Sequence, residues 1–255
     1  MDVIVSLQND KVKLTKGLQS RARTRRKERK IVLEGTRLVR DAVERKHAPL
    51  FVLYEPENAD SDLITLLEAR KAMLIPVNAE VMRYVSDTPQ PQGVVGVFPL
   101  PRPPFPRKPS RVLILDNLRD PGNLGTILRT AGAAGVQVVI LSPGCADPYN
   151  PKTLRSGMGA HFRVPVVEST WEEIAVYCEP LAVYLATGRG VAGYTQVDWK
   201  ADWALIIGNE AHGAGSKAEE ISTMRINIPM ATKTESLNAA IATGVILFEA
   251  ARQRG

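Results

Sequence analysis

Cysteine is scarce in this chain. Cys145 and Cys178 are the only two in 255 residues, so a disulfide framework is excluded and a thiolate-rich metal site is not expected. Histidine is almost as rare. His47, His161 and His212 stand far apart, and no two form a ligand pair at helical spacing, so no metal site is expected. No apolar run reaches the roughly 18–20 residues that span a bilayer. The first ten residues, MDVIVSLQND, lack a charged n-region and a long h-region, so no signal peptide is expected. A membrane role is therefore set aside, and the cytoplasm is the expected compartment. Apolar residues make up 44% of the chain, enough for a packed core, which rules out wholesale disorder.

Charge is plentiful but unevenly placed. The chain carries 33 Lys and Arg against 27 Asp and Glu, a net charge of +6. Residues 1–30 hold ten of the basic residues and three acids, so the excess is concentrated there and the remainder is nearly neutral. A basic patch on a neutral body is the electrostatic footprint of a polyanion partner, or else a solvated helix face. Arg21, Arg23, Arg25, Arg26 and Lys27 are the candidates for that contact. The segment has no Trp or Phe to enter a membrane interface.

Proline divides the chain. Eight of its eighteen prolines fall within residues 89–109. Proline cannot donate to a ladder or helix bond, so PLPRPPFPRKP reads as a stiff extended connector. The expected division is residues 1–98, a linker at 99–109, and residues 110–255. In the first part a basic helix over about 8–27 precedes KIVLEG, LFVLYE, MLIPVN and GVVGVF. These four strands alternate with short helices as a small α/β layer. In the second part RVLILD, VQVVILS, RVPVV, LAVYLAT, WALIIG and RINIPM are short, apolar and β-branched. Continuous apolar strands separated by helices predict a parallel sheet covered on both faces. Ligands then sit beyond the carboxyl ends of the strands.

One motif is rejected. Gly188, Gly190 and Gly193 spell G-x-G-x-x-G after LAVYLAT. The dinucleotide fingerprint needs a helix directly after that loop, and YTQVDWKAD is not one. A nicotinamide-dependent dehydrogenase is thereby disfavoured.

Three strand-end segments carry the chemistry. In 116–135, Asp120–Pro121–Gly122 turns into a helix near Asn123, read as its cap. Arg119 and Arg129 flank that start, either as a phosphate site or as surface arginines on a capped helix. In 203–215 a strand ends at Gly208, followed by Asn209 and Glu210; Glu210 is open to a functional role or to capping the helix near Ser216. In 225–254 a strand stops at Pro229 and a helix starts near Ser236. Leu237, Ile241, Val245 and Phe248 form its apolar stripe, and Ala239, Ala240, Ala242, Thr243 and Gly244 a small-residue face. Asn238 falls in its first turn.

Taken together, N-x-x-x-x-x-R, I-I-G-N-E and I-P-M with S-L-N, in this order, resemble the SpoU (TrmH-like) branch of the SPOUT RNA methyltransferases. The resemblance covers about 110–255, and R…K-IVLEG-TRLV resembles the L30e-like RNA-binding domain often fused to it. The resemblance implies an α/β fold with a parallel sheet, a C-terminal deep trefoil knot and a small N-terminal α/β RNA-binding domain. It implies S-adenosylmethionine as cofactor, held by Thr187, Gly188, Ile207, Gly208, Asn209, Ile228, Met230, Ser236 and Leu237. It implies that Asn123, Arg129, Glu210 and Asn238 are catalytic, and that the protein is a homodimer. Ala211–His212 depart from the Gly–Glu of several relatives. The implied reaction is methyl transfer to a ribose 2′-OH of ribosomal RNA, most readily of the large subunit. tRNA is the second substrate of the same class. A non-catalytic ribosome assembly factor is the reading of another class, opposed by the intact Asn123, Arg129, Glu210 and Asn238.

Overall fold

Runs of β-branched and aliphatic residues form the strands, and alternate residues of each run turn to opposite faces. The computed structural model describes residues 2–188, 190–209, 213–231 and 237–255. They cluster into two units: Met1–Pro101 with Tyr149–Gly159, and Arg102–Pro148 with Ala160–Gly255.

In the first unit the expected single basic helix is two: α1 (Asp10–Ser20) and α2 (Ala22–Glu28), broken at Arg21, which is extended. The break is fastened by Arg25. Its side chain is buried, and Nη1 donates to the carbonyls of Leu18 at 2.5 Å and Gln19 at 3.2 Å. These are carbonyls of the last turn of α1, left without helical partners. The unit continues with β1 (Lys30–Glu34), α3 (Thr36–Glu44), β2 (Phe51–Tyr54), α4 (Ser61–Ala69), β3 (Leu74–Pro76), α5 (Ala79–Val85) and β4 (Val94–Pro99). The four strands lie in the order β1-β4-β2-β3, with only β2 and β3 parallel. Asp60 and Asn78 cap α4 and α5 through their side chains. Val12, Leu18, Leu53, Val81 and Val97 meet in one buried cluster.

The second unit runs β5 (Arg111–Leu115), α6 (Pro121–Ala133) and β6 (Val138–Leu141). After α7 (Pro151–Gly157) come β7 (Val166–Glu168), α8 (Trp171–Cys178), β8 (Ala182–Ala186), β9 (Ala192–Gly193), β10 (Trp203–Ile207), α9 (Ser216–Ile221), β11 (Met224–Asn227) and α10 (Ala239–Arg254). Its seven strands are parallel throughout, in the order β7-β6-β5-β10-β8-β11-β9. Leu113 and Leu115 of β5 face Leu124, Ile127 and Leu128 of α6 and Ile246 and Leu247 of α10. Val112 and Ile114 face Ile174 of α8 and Ala218 of α9. Both faces are therefore covered, as the apolar strands require. After Gly193 comes only a one-turn 3₁₀ segment, Tyr194–Gln196, so the glycine triplet does not open an α-helix.

The two units divide the chain differently from the expected boundaries. Helix α7 was placed with residues 110–255, yet it clusters with the first unit. Its Arg155 Nη2 lies 2.8 Å from Asp87 Oδ2. On the last helix Ile241 and Phe248 are exposed, and the core face is built from Ala239, Ala240, Thr243, Ile246, Leu247 and Ala250. The small residues expected beside the stripe let α10 approach α6 closely. Among the described residues no helix is long and apolar enough to cross a membrane.

His161 is buried, and its Nε2 lies 2.7 Å from the carbonyl of Pro148. Desolvation lowers its pKa to about 4; the hydrogen bond to Pro148 and the charge of Asp147 oppose that shift, while Arg163 adds to it. The unfolded chain therefore binds a proton near pH 6.5 that the folded chain refuses until about pH 4. Folding stability should rise with pH across that window, by about 3 kcal/mol from this residue. Urea melts at pH 4.5, 5.5 and 7.5 check it: the wild type should show a steeper rise than His161→Gln, and parallel curves would refute it.

Candidate active site at the carboxyl rim of the parallel sheet

The carboxyl ends of β5, β6, β10, β8 and β11 open onto one rim, because every strand runs the same way. At its centre lies Asp116, directly after β5 and buried. Its Oδ1 accepts from Ser142 Oγ at 2.9 Å, and its Oδ2 accepts from the backbone N of Gly215 at 2.7 Å. One carboxylate thus ties the loop after β6 to the loop after β10. Ser142 Oγ also accepts from Asn117 N at 3.0 Å, and Asn209 Nδ2 donates to the Asn117 carbonyl at 2.8 Å. Asp116, Asn117 and Ser142 were not among the expected site residues. A polar residue directly after the apolar run RVLIL was the available signal.

Asn123 is not the cap of α6. Asp120 is, accepting from Asn123 N at 2.7 Å, with Pro121 in the first turn, where its missing N–H costs nothing. Asn123 is thereby left with its side chain for another partner. That partner is Asn238, whose Nδ2 donates to Asn123 Oδ1 at 3.1 Å. Asn238 is itself the cap of α10, accepting from Ala240 N and Ile241 N. The helix therefore begins after Asn238 rather than near Ser236. The cap gives up its oxygen to the helix and its amide nitrogen to Asn123, so the two helix starts are fixed on each other. Arg129 lies six residues beyond Asn123 and exposed, about 9 Å along the axis. Arg119 is exposed in the loop before α6, its Nε held by Asn117 Oδ1 at 3.1 Å.

The expected cofactor residues divide in three. Thr187, Gly188, Gly208, Asn209, Ile228 and Leu237 lie at or just past strand ends or helix starts and are at least partly exposed. Thr187 N donates to the Ile226 carbonyl at 2.9 Å, and Met230 is 41% exposed. Ile207 instead packs into the core between sheet and helices, so any ligand contact it makes is through its backbone. Glu210 and Ser236, with Ala211 and His212, lie outside the described residues. Of the expected basic contacts, Arg21, Arg23, Arg26 and Lys27 are exposed, whereas Arg25 is a buried structural tie. It is not a surface cation, because its guanidinium completes the end of α1. Among the described residues no group of three or more His, Cys, Asp or Glu is placed to hold a metal ion.

Comparison with known proteins agrees with this geometry. Residues 110–248 match the model of the SpoU rRNA Methylase family, and residues 9–96 that of the MRM3-like substrate binding domain. The chain is 34% identical to mouse mitochondrial rRNA methyltransferase 3, over 90% of this chain and 69% of that one. It is 32% identical to the 23S rRNA (guanosine(2553)-2′-O)-methyltransferase RlmP of Bacillus subtilis, over 97% and 98%. The crystal structure of the SpoU methyltransferase AviRb from Streptomyces viridochromogenes with AdoMet superposes with a TM-score of 0.86 at 26% identity, covering 97% of this chain and 98% of that one. The AdoMet-bound rRNA methyltransferase from Sinorhizobium meliloti gives 0.83 at 32%, covering 98% and 97%.

Gly208 ends β10 where the backbone doubles back. A Cβ there would fall 2.4 Å from Ala214 N, and Asn209 and Gly213 exchange backbone hydrogen bonds at 2.9 Å. Gly208→Ala should therefore cost about 1–3 kcal/mol by forcing the backbone apart. Gly215→Ala, whose Cβ would meet, among the described residues, only Asp116 Oδ2 at 3.5 Å, should cost under about 0.5 kcal/mol. Urea melts of the two variants check the contrast; equal losses would contradict it.

Proposed function

The chain belongs to the SpoU rRNA methylase family and is an S-adenosylmethionine-dependent RNA methyltransferase; from that premise we propose how its rim performs the reaction. The acceptor is a ribose 2′-OH of large-subunit ribosomal RNA, as the name of the Bacillus subtilis relative states for that enzyme. The observation that carries the site assignment is the Asn123–Asn238 hydrogen bond, which brings two of the three strand-end segments together at the rim.

The residues fit the cofactor. The rim offers small or glycine positions at Thr187, Gly188, Gly208 and Asn209, and the half-buried apolar side chains of Ile228 and Leu237. Such a surface suits a ligand held largely through backbone groups. Met230 and Ser236 complete the proposed set, and Ile207 contributes backbone only. When bound, S-adenosylmethionine supplies an electrophilic methyl group on a sulfonium. The protein must then align the hydroxyl and stabilise the charge that moves onto its oxygen. Asn123 and Asn238 hold each other and set the start of both helices facing the RNA. Arg129 clamps a phosphate beside the reacting ribose and stabilises the developing alkoxide. Arginine side chains hold their proton up to about pH 12. The hydroxyl proton is therefore assigned to an RNA phosphate or to water. Glu210 steadies the loop or Arg129.

The first unit, which matches a substrate-binding model, serves as an L30e-like RNA-binding domain. Arg21, Arg23, Arg26 and Lys27 grip phosphates there, and Arg119 does so at the rim. The C-terminal segment is proposed to form a deep trefoil knot. Strand β11 lies beyond β8, whereas α10, next in the chain, packs on α6, which follows β5 on the far side of β10. The working form is a homodimer in the cytoplasm. Ile241 and Phe248 stand 58% and 55% exposed on α10, an apolar stripe that a second copy would cover.

Two experiments test this reading. Tritium transfer from labelled S-adenosylmethionine to bulk rRNA and tRNA, followed by nuclease digestion, should place label in a 2′-O-methyl nucleoside of rRNA. Arg129→Ala should lose at least about 100-fold, and Arg129→Lys most of that, since a lysine is not a bidentate clamp. Label only in tRNA would move the substrate, and a near-full rate for Arg129→Lys at pH 7 would remove the clamp. Separately, sedimentation should show a dimer for the wild type and a monomer for Ile241→Glu with Phe248→Asp; a monomeric wild type at micromolar concentration refutes the dimer.

A further inference from the structure

The first unit holds a cleft of about 200 Å³ that the rim chemistry does not use. Its walls come from three places: the β1–α3 turn, the loop before β4, and the end of α7. Glu34, Leu38, Gln90, Gln92, Arg155 and Met158 line it. Glu34 is buried and saturated, accepting from Gln19 Nε2 at 3.0 Å, Asp87 N at 2.9 Å and the amide and hydroxyl of Thr88. It is a wall rather than a reader. The charge of Arg155 is answered twice, by Asp87 Oδ2 at 2.8 Å and by Glu34 Oε2, 3.9 Å from Nη1. Arg37, the other cation lining the cleft, is exposed and can meet a backbone phosphate, whereas the neutralised Arg155 suits an uncharged group.

What the cleft does offer is a planar guanidinium, a thioether, the side chain of Leu38 and two carboxamides. Gln92 is held in one orientation. Its Oε1 accepts from Thr36 N at 3.0 Å, which leaves the two Nε2 hydrogens as donors. Gly35 makes that reach possible: it sits at φ 93°, and a Cβ there would fall 2.7 Å from Gln92 Oε1. Gln90 is exposed beside it. A guanidinium face, apolar contacts and carboxamide edges are the means by which proteins hold a base splayed out of an RNA strand.

We propose that this cleft takes one unpaired nucleobase of the RNA substrate, stacked against Arg155 and Met158 and read on its edge by Gln90 and Gln92. This deepens the reading of the chain as an RNA methyltransferase, and rests on it for the identity of the ligand. Recognition of an unpaired base would let the first unit choose a site on the RNA, while the exposed arginines of α1–α2 supply only sequence-independent affinity.

The test uses the full chain and fluorescence anisotropy with 5′-labelled rA12, rC12, rU12 and an abasic ribose-phosphate 12-mer. The wild type should bind at least one base-bearing 12-mer about tenfold more tightly than the abasic one. Gln90→Ala and Gln92→Glu should each cut that ratio to about threefold or less. Gln92→Glu keeps an oxygen for Thr36 N and loses only the donors, and the ratio is the readout because the added charge weakens both ligands alike. Circular dichroism and urea melts that match the wild type show that the variants fold. A wild type without base preference, or variants that keep it, overturns the proposal. Methyl transfer by the same wild type is scored separately. A base preference lost in the variants, beside no transfer to any RNA, would uphold the cleft and sink the activity.

Discussion

Asp116 sits at the point where the second unit turns from core to site. Its two oxygens take a hydroxyl hydrogen from the loop after β6 and a backbone hydrogen from the loop after β10. A buried carboxylate without such donors would cost several kcal/mol, so the loops cannot drift from it without that penalty appearing. Through Ser142 the tie extends to Asn117, and through Asn117 to Asn209. Five residues from three strand ends are thus one hydrogen-bonded body. The proposed cofactor surface borders that body, so its shape is set before any ligand arrives.

The sheet was legible because burial on both faces leaves a plain mark. RVLIL, VVIL and WALII contain no polar residue except at their edges, and only a doubly covered parallel sheet uses such strands. The asparagines were legible as members of three strand-end segments, but their roles were exchanged. Asn123 reads as a cap because it precedes an apolar run; Asp120 precedes Pro121, and proline fixes the first turn there instead. The apolar stripe of α10 could be listed from sequence but not oriented. Ile241, Val245 and Phe248 show helical spacing, and spacing says which residues share a face, not which face is inward. The inward face went to Ala239, Ala240, Thr243 and Ala250 together with Ile246 and Leu247. Arg25 could not be told from Arg23 or Arg26 in sequence. Only the break at Arg21 turns it under the end of α1.

Helix α7 shows where linear reading stops. YNPKTLRSGMG lies in the middle of the alternating strands of the second part, yet it clusters with the first unit. Nothing in its composition marks that change of allegiance. Its anchor is an ion pair to Asp87, from a residue 68 positions earlier, and such long-range pairs leave no periodic trace. The hydrogen bond between His161 and Pro148 joins the residues on either side of this segment, so a buried neutral imidazole guards its base.

The placement of charge separates grip from chemistry. At the rim, the groups that hold the architecture are a saturated carboxylate, a serine and four asparagines, counting Asn117, Asn123, Asn209 and Asn238. The described cations beside them, Arg119 and Arg129, are exposed. Displacement at a sulfonium by a neutral hydroxyl creates no net charge; it moves charge from one centre to another. Fixed dipoles need no reorganisation as the charge moves, and in the proposed reaction Arg129 adds its charge to theirs. In the proposed reaction the outward arginines meet the one part of the substrate that is always charged, the phosphate next to the reacting ribose, so grip comes from the exposed cations and alignment from the fixed dipoles.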